Sequence, residues 1–189
     1  QKVHEIYKTR ISKDGELVNA DVSYKMARLF MLCENIIMKY PLGKTEFLIL
    51  SRTGDLGYCY RKLEAFKTKL REILKPVLNQ FGNFDEQVQC RTAHGSKGLE
   101  ADVVIVLNSD ERKFPLIHPD NLLNRILGVN MDEVYKEEER LFYVAITRAK
   151  QNLYFITEKG RESEFLKKVE TVLDDISLKH HASALDSDF

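Results

Sequence analysis

The sequence predicts an α/β fold, with a mainly parallel sheet flanked by helices. Two observations carry that expectation. Short apolar runs such as Phe47-Leu48-Ile49-Leu50 and Val103-Val104-Ile105-Val106 lack polar alternation, as strands buried on both faces do. Longer segments with helical spacing of apolar residues lie between the strand-like runs, and that alternation marks α/β architectures. The 189 residues suffice for one core, and 43% hydrophobic content is ordinary for a globular protein.

In chain order, Val3 to Lys8 alternates Val3/Glu5/Tyr7 with His4/Ile6/Lys8, a strand pattern, and Asp14-Gly15 marks a turn. From Asp21, read as an N-cap, Tyr24, Ala27, Leu29, Phe30, Leu32, Cys33, Ile36, Ile37 and Tyr40 recur at helical spacing until Pro41 and Gly43 end the pattern. The buried strand at Phe47 opens onto Ser51-Arg52-Thr53-Gly54, where Arg52 is a candidate phosphate ligand, because ligands in open α/β sheets gather beyond the carboxyl ends of the strands. A second helical region runs from Leu56 through Leu74 to Pro76. Its basic residues, Arg61, Lys62, Lys67, Lys69, Arg71 and Lys75, read first as a solvated face and second as a contact for a nucleic-acid backbone.

Val88, Cys90 and Thr92 alternate with Gln89 and Arg91 as a strand, and Asp102 to Leu107 forms the next. Asn108 to Pro115 is a loop by composition, followed by a short helix within Leu116 to Gly128 that begins near Pro119-Asp120. Asn130 with Glu133 resembles a capping arrangement for a helix that places Leu141, Val144, Ala145 and Arg148 on one face. Asn152 to Thr157 is a further strand and Glu162 to Leu173 a closing helix. Residues 1–175 are thus read as one domain and 176–189 as a polar tail expected to be partly disordered.

Lys+Arg and Asp+Glu both number 29, so no long-range basic field announces a nucleic-acid partner, and any such contact must be local. Cys33, Cys59 and Cys90 fit neither a disulfide framework nor a metal site, which points to a reduced, cytoplasmic setting. No apolar run approaches the roughly 18 residues of a membrane span. His180-His181 lack further ligands at suitable spacing, and no metal site is expected in this chain. The abrupt start at Gln1 suggests a domain cut from a longer polypeptide.

The chemistry concentrates between the strands ending at Thr92 and beginning near Asp102. Gly95 and Gly98 remove the Cβ that would hold a ligand away from backbone N–H groups, while His94, Ser96, Lys97 and Glu100 add side-chain donors and acceptors suited to phosphate or ribose. The order Gly95-Ser96-Lys97-Gly98 does not supply the Gly-x-x-x-x-Gly-Lys-Ser/Thr of a P-loop, and neither does the rest of the chain. Arg148 has two readings. Near a helix C-terminus a cation meets terminal carbonyls favourably; equally, a guanidinium presents a planar fork to phosphate.

Thr92-Ala93-His94-Gly95-Ser96-Lys97-Gly98-Leu99-Glu100 resembles motif V of the superfamily-1 DNA helicases, and Glu139 to Ala149 resembles their motif VI. Ser51-Arg52-Thr53 resembles motif IVa, with Gly54 where the family commonly has asparagine, and Leu116 stands where relatives often place a DNA-touching histidine after Phe-Pro. The likeness is to the UvrD/Rep group and, more narrowly, to helicase IV-like members.

It implies a RecA-like second motor domain whose nucleotide side comprises Arg148 as an arginine finger on the ATP γ-phosphate, Glu100 on the ribose, Gly98 at the close approach and Lys97. It also implies that Thr92, His94 and Arg52 face single-stranded DNA. The P-loop lysine and the Mg²⁺-binding acidic motif would belong to a preceding N-terminal RecA-like domain of the same polypeptide, so this piece alone is expected to be inactive. A rival reading is an ATP-dependent remodeller of RNA polymerase, or of another protein–nucleic-acid complex, that does not unwind; repair proteins are also expected among the partners.

Overall fold

Parallel strands need crossovers that return the chain to the same edge of the sheet, and the helical segments supply them. The computed structural model describes residues 3–9, 18–56, 62–116, 128, 130–158 and 160–171, without the side chains of residues 3–9, 18–26 and 158. Five strands, β1 (Val3–Thr9), β2 (Phe47–Ser51), β3 (Val88–Thr92), β4 (Ala101–Val106) and β5 (Ala149–Glu158), form one sheet in the order β1-β5-β4-β2-β3. Every pairing is parallel.

Helices cover both faces. Phe47, Ile49, Val103 and Ile105 point to one side and join residues of α1 (Val18–Ile37) and α2 (Leu63–Ile73) in a core that includes Phe30, Ile36, Phe66 and Leu70. Leu48, Leu50, Val104 and Val106 point to the other side and join Leu141, Phe142 and Ala145 of the long C-terminal-half helix, together with Phe165 and Leu166. That long helix, Met131–Ile146, follows the short α3 (Phe84–Gln87) and is numbered α4 among the described residues; the helix over 164–171 is α5. Right-handed crossovers explain the layering. The β2-α2-β3 step and the β4-α4-β5 step travel in opposite directions across the sheet, so the same hand puts α2 and α4 on opposite faces.

Neighbouring β2 and β4 therefore feed connections that diverge. The crevice beyond their carboxyl ends is a topological switch point, where ligands of open α/β sheets commonly bind.

Several boundaries differ from expectation. Helix α1 starts at Val18, so Asp21 lies inside it rather than capping it. Its end is a tightened turn, with Lys39 and Tyr40 donating to the carbonyls of Ile36 and Ile37. Leu56 is buried at 2% exposure but is not helical; α2 begins at Leu63, and Pro76 falls in a 3-10 segment over Lys75–Gln80. Asn130 caps α4, accepting from the N–H of Asp132 at 3.0 Å rather than pairing with Glu133 as a box. Strand β5 begins at Ala149, directly after Arg148, because Ala101 N–H donates to Arg148 O and extends the ladder. Ser163 caps α5 with its hydroxyl on the Leu166 N–H at 3.1 Å. The expected helix within Leu116 to Gly128, the tail from residue 176, and Arg61, Cys59 and His180-His181 lie outside the described residues.

Candidate functional site

The expected site residues divide between the two edges of the sheet. Arg52 follows β2 and Thr92 ends β3, so both sit at the carboxyl edge; Glu100 precedes β4 and Arg148 precedes β5, so both sit at the amino edge. The length of β4 from Ala101 to Val106 separates the edges by roughly 17 Å, at about 3.3 Å per residue. The chain from Thr92 to Glu100 crosses the whole distance in one short connection.

At the carboxyl edge, the loop after β2 and the start of that connection lie together. Ala93 N–H donates to Ser51 O at 2.8 Å, and a Cβ on Gly54 would lie 4.0 Å from Thr92 Cγ2. Thr92 Oγ1 accepts the Gly95 N–H at 3.0 Å, closing a turn that leaves His94 exposed. A Cβ on Gly95 would sit 3.1 Å from the same Thr92 hydroxyl, so glycine there protects this bond. Ser96, fully buried, donates to Ala93 O at 2.7 Å and anchors the single 3-10 turn of the crossing.

A cleft of about 380 Å³ opens at the switch point, lined by Ser51, Arg52, Thr53, Asp55, Leu56, Asn108, Lys113 and Leu116. Asn108 has a φ of 52°, a conformation that asparagine adopts more readily than most residues. Arg52 is engaged from behind. Its Nε lies 2.8 Å from Glu138 Oε2, its Nη2 bonds Oε1 of the same carboxylate, and Oε2 also accepts the Leu116 N–H at 3.0 Å. Glu138 is 5% exposed, so this is a charge pair withdrawn from water. Asn108, Lys113 and Glu138 were not singled out in the sequence. The loop composition was visible, but a glutamate inside Glu137-Glu138-Glu139 carries no sign that the middle one is buried.

At the amino edge the second half of the crossing meets the end of α4. Gly98 has a φ of 83°, with open space where a Cβ would be, so backbone conformation rather than crowding asks for glycine. Lys97 and Glu100 are exposed on either side of it and Leu99 is half-buried. Arg148 is half-buried and folds over the helix end. Nε donates to Val144 O at 2.9 Å, Nη2 to Thr147 Oγ1 at 3.1 Å and Nη1 to Leu99 O at 3.2 Å. The helix-terminal contact is therefore present, and it does not exhaust the group, because Nη1 and Nη2 each carry a second N–H. The bond to Leu99 O fixes the guanidinium to the residue that lies between Gly98 and Glu100 in the chain. Among the described residues, no group of three or more His, Cys, Asp or Glu is arranged to hold a metal ion, and no helix is long and apolar enough to cross a membrane.

A parallel sheet with helices on both faces, with Arg52 and Thr92 at one edge and Glu100 and Arg148 at the other, defines the class as a RecA-like α/β domain. The family model for the UvrD-like helicase C-terminal domain matches residues 12–160, and this chain belongs to that family. It is similar to the ATP-dependent DNA helicase PcrA of Bacillus subtilis, 34% identical over 123 residues (61% of this chain, 15% of that protein), and to the ATP-dependent DNA helicase Rep of Buchnera aphidicola, 35% identical over 89 residues (47% and 12%). DNA helicase II of Rickettsia typhi is 36% identical over 80 residues, 42% of this chain and 11% of that protein. The matches thus span between 11% and 15% of these relatives' lengths. A solved C-terminal domain of a possible DNA helicase from Lactobacillus plantarum WCFS1 overlaps 78% of this chain and 72% of its own, at 16% identity and a TM-score of 0.38, too loosely to bear on function.

Proposed function

We propose that this chain is the second motor domain of an ATP-dependent superfamily-1 DNA helicase, completing an ATP site at its amino edge and touching single-stranded DNA along its carboxyl edge. The observation that carries the reading is the stitching of Arg148 to Leu99, the residue between Gly98 and Glu100, while the same loop begins, at the opposite edge, with Thr92 and His94. In this reading Arg148 stabilises charge developing on the γ-phosphate, Glu100 accepts from ribose hydroxyls, and Gly98 keeps the backbone low against the nucleotide. Lys97 adds a mobile cation on that side. Thr92, His94 and Arg52 face the strand, with Arg52 reaching the cleft from its pair with Glu138.

The substrate would be ATP with Mg²⁺. Phosphoryl transfer needs a phosphate cradle and metal ligands as well as an arginine, and these would come from the N-terminal RecA-like domain of the same polypeptide. Relatives described as DNA helicases favour unwinding over the alternative of remodelling RNA polymerase or a similar complex, with which this domain would be equally compatible in shape. A strand-displacement assay on the full-length protein tests the choice. ATP-dependent release of a labelled strand supports the helicase reading; brisk DNA-stimulated ATP turnover without release from duplexes of either overhang would favour the remodeller.

A further inference from the structure

Glu138 belongs to none of the contacts assigned above to nucleotide or DNA, yet it is a buried carboxylate at the meeting point of three segments. It accepts from the Arg52 fork and from the Leu116 N–H, while one helical turn further on Phe142 packs edge-on against Phe114 with ring centroids 5.1 Å apart. Residues four apart lie on one face of a helix, so Glu138 and Phe142 together grip the loop before Leu116 and the loop that carries Arg52. Further along, the same helix ends at the Val144 carbonyl and Thr147 hydroxyl that hold Arg148. Eight residues of helical rise, from Glu138 to Ile146 at the helix end, set the two contacts about 12 Å apart along α4.

We infer that Glu138 is a positioning residue that couples the two edges: α4 is a rigid strut with the arginine finger at one end and, through Glu138, the DNA-side loops at the other. The inference rests on the function proposed above and adds the route by which one edge senses the other. A carboxylate left in this dry setting without its partners is strongly unfavourable, so Arg52 and Leu116 must follow Glu138 whenever α4 shifts. Arg52 then acts chiefly through Glu138. The pair uses its Nε and Nη2 and leaves Nη1 to meet the strand.

The test uses the full-length protein with Arg52→Gln, Glu138→Gln and the double substitution. Either single change strands a charge and can unfold the domain, whereas neutralising both partners together is commonly tolerated. The decisive readouts on the double variant are the ratio of DNA-stimulated to DNA-free ATP turnover and the single-stranded DNA concentration giving half-stimulation. Coupling predicts a ratio that falls roughly tenfold, the scale of mutations along a coupling network, and stays low at saturating DNA, while loss of the Arg52 contact to the strand raises the half-stimulating concentration. Three results would overturn the inference: a wild-type ratio in the double variant, a loss fully recovered by more DNA, which would make Arg52 a direct phosphate ligand, or a double variant that does not fold, which would make the pair scaffold. Absence of DNA stimulation in the wild-type protein would instead remove the proposed function itself.

Discussion

Glu100 and Arg148 sit at the same edge but are expected to act at different stages, and kinetics can tell them apart. A ribose contact is made equally in ground and transition states, so in the full-length protein Glu100→Gln should raise KM for ATP with kcat nearly unchanged, as steady-state measurements would show. A fall in kcat alone would contradict a ribose role. The buried thiols give a second expectation. Burial pushes Cys90 up to about 12 and Cys33 higher still, so neither presents a thiolate near neutrality, and both should resist alkylation until denaturant is added. In the unfolded chain these thiols ionise near their ordinary value of 9.0 while the folded ones stay protonated. Stability from this source is complete below that pH and declines above it. Replacing both cysteines with alanine should flatten that alkaline limb in urea titrations, whatever it does at pH 7.

Individual residues were unevenly legible. The Gly95/Gly98 pattern and Arg148 could be picked out because their chemistry is local, and the structure gives Gly98 the positive φ that glycine permits. Glu138 could not be picked out, since its burial depends on Arg52, eighty-six positions away, and on a loop whose path no local pattern encodes. Arg52 was legible as a cation beyond a strand, but its partner was not.

Among the elements, the crossing from β3 to β4 is the one whose shape matters most to the account. Gly98→Ala adds no clash but forces an L residue to a φ of 83°, which costs about 1–2 kcal/mol and should draw the Leu99 carbonyl off Arg148. The expected outcome is an unfolding free energy lowered by that amount in chemical denaturation, together with weaker nucleotide binding in the full-length protein; unchanged values of both would show that the loop tolerates another course. For α4, Asn130→Ala should cost about 1 kcal/mol through loss of the cap on the Asp132 N–H. Strands were the most readable elements, because β2 and β4 carry the apolar runs Phe47–Leu50 and Val103–Val106, which two-sided burial explains. Helix starts were less readable. Asp21 looks like a cap yet lies within α1, and Leu56 looks like the first core residue of α2 yet is packed from the preceding loop. For Leu56, tertiary packing uses an apolar residue that periodicity alone assigns to the helix.

For the molecule as a whole, the fold class and the division of Thr92 and Glu100 between sheet edges follow from connectivity, since the connection between them must leave β3 at one edge and enter β4 at the other. With equal numbers of acidic and basic residues, the 189-residue chain by itself should bind single-stranded DNA weakly and lose that binding as salt rises, as an anisotropy titration would show. By itself it should not hydrolyse ATP, lacking a phosphate cradle. The most direct measurement of the central claim is ATP turnover and melting temperature of the full-length protein carrying Arg148→Ala. An arginine finger is worth about 10³ to 10⁵ in rate, so the account predicts a collapse of kcat by at least that lower bound with nucleotide binding and folding largely preserved. A helix-terminal role alone predicts the reverse, and a variant with normal kcat and stability lowered by roughly 0.3 to 1 kcal/mol would contradict it.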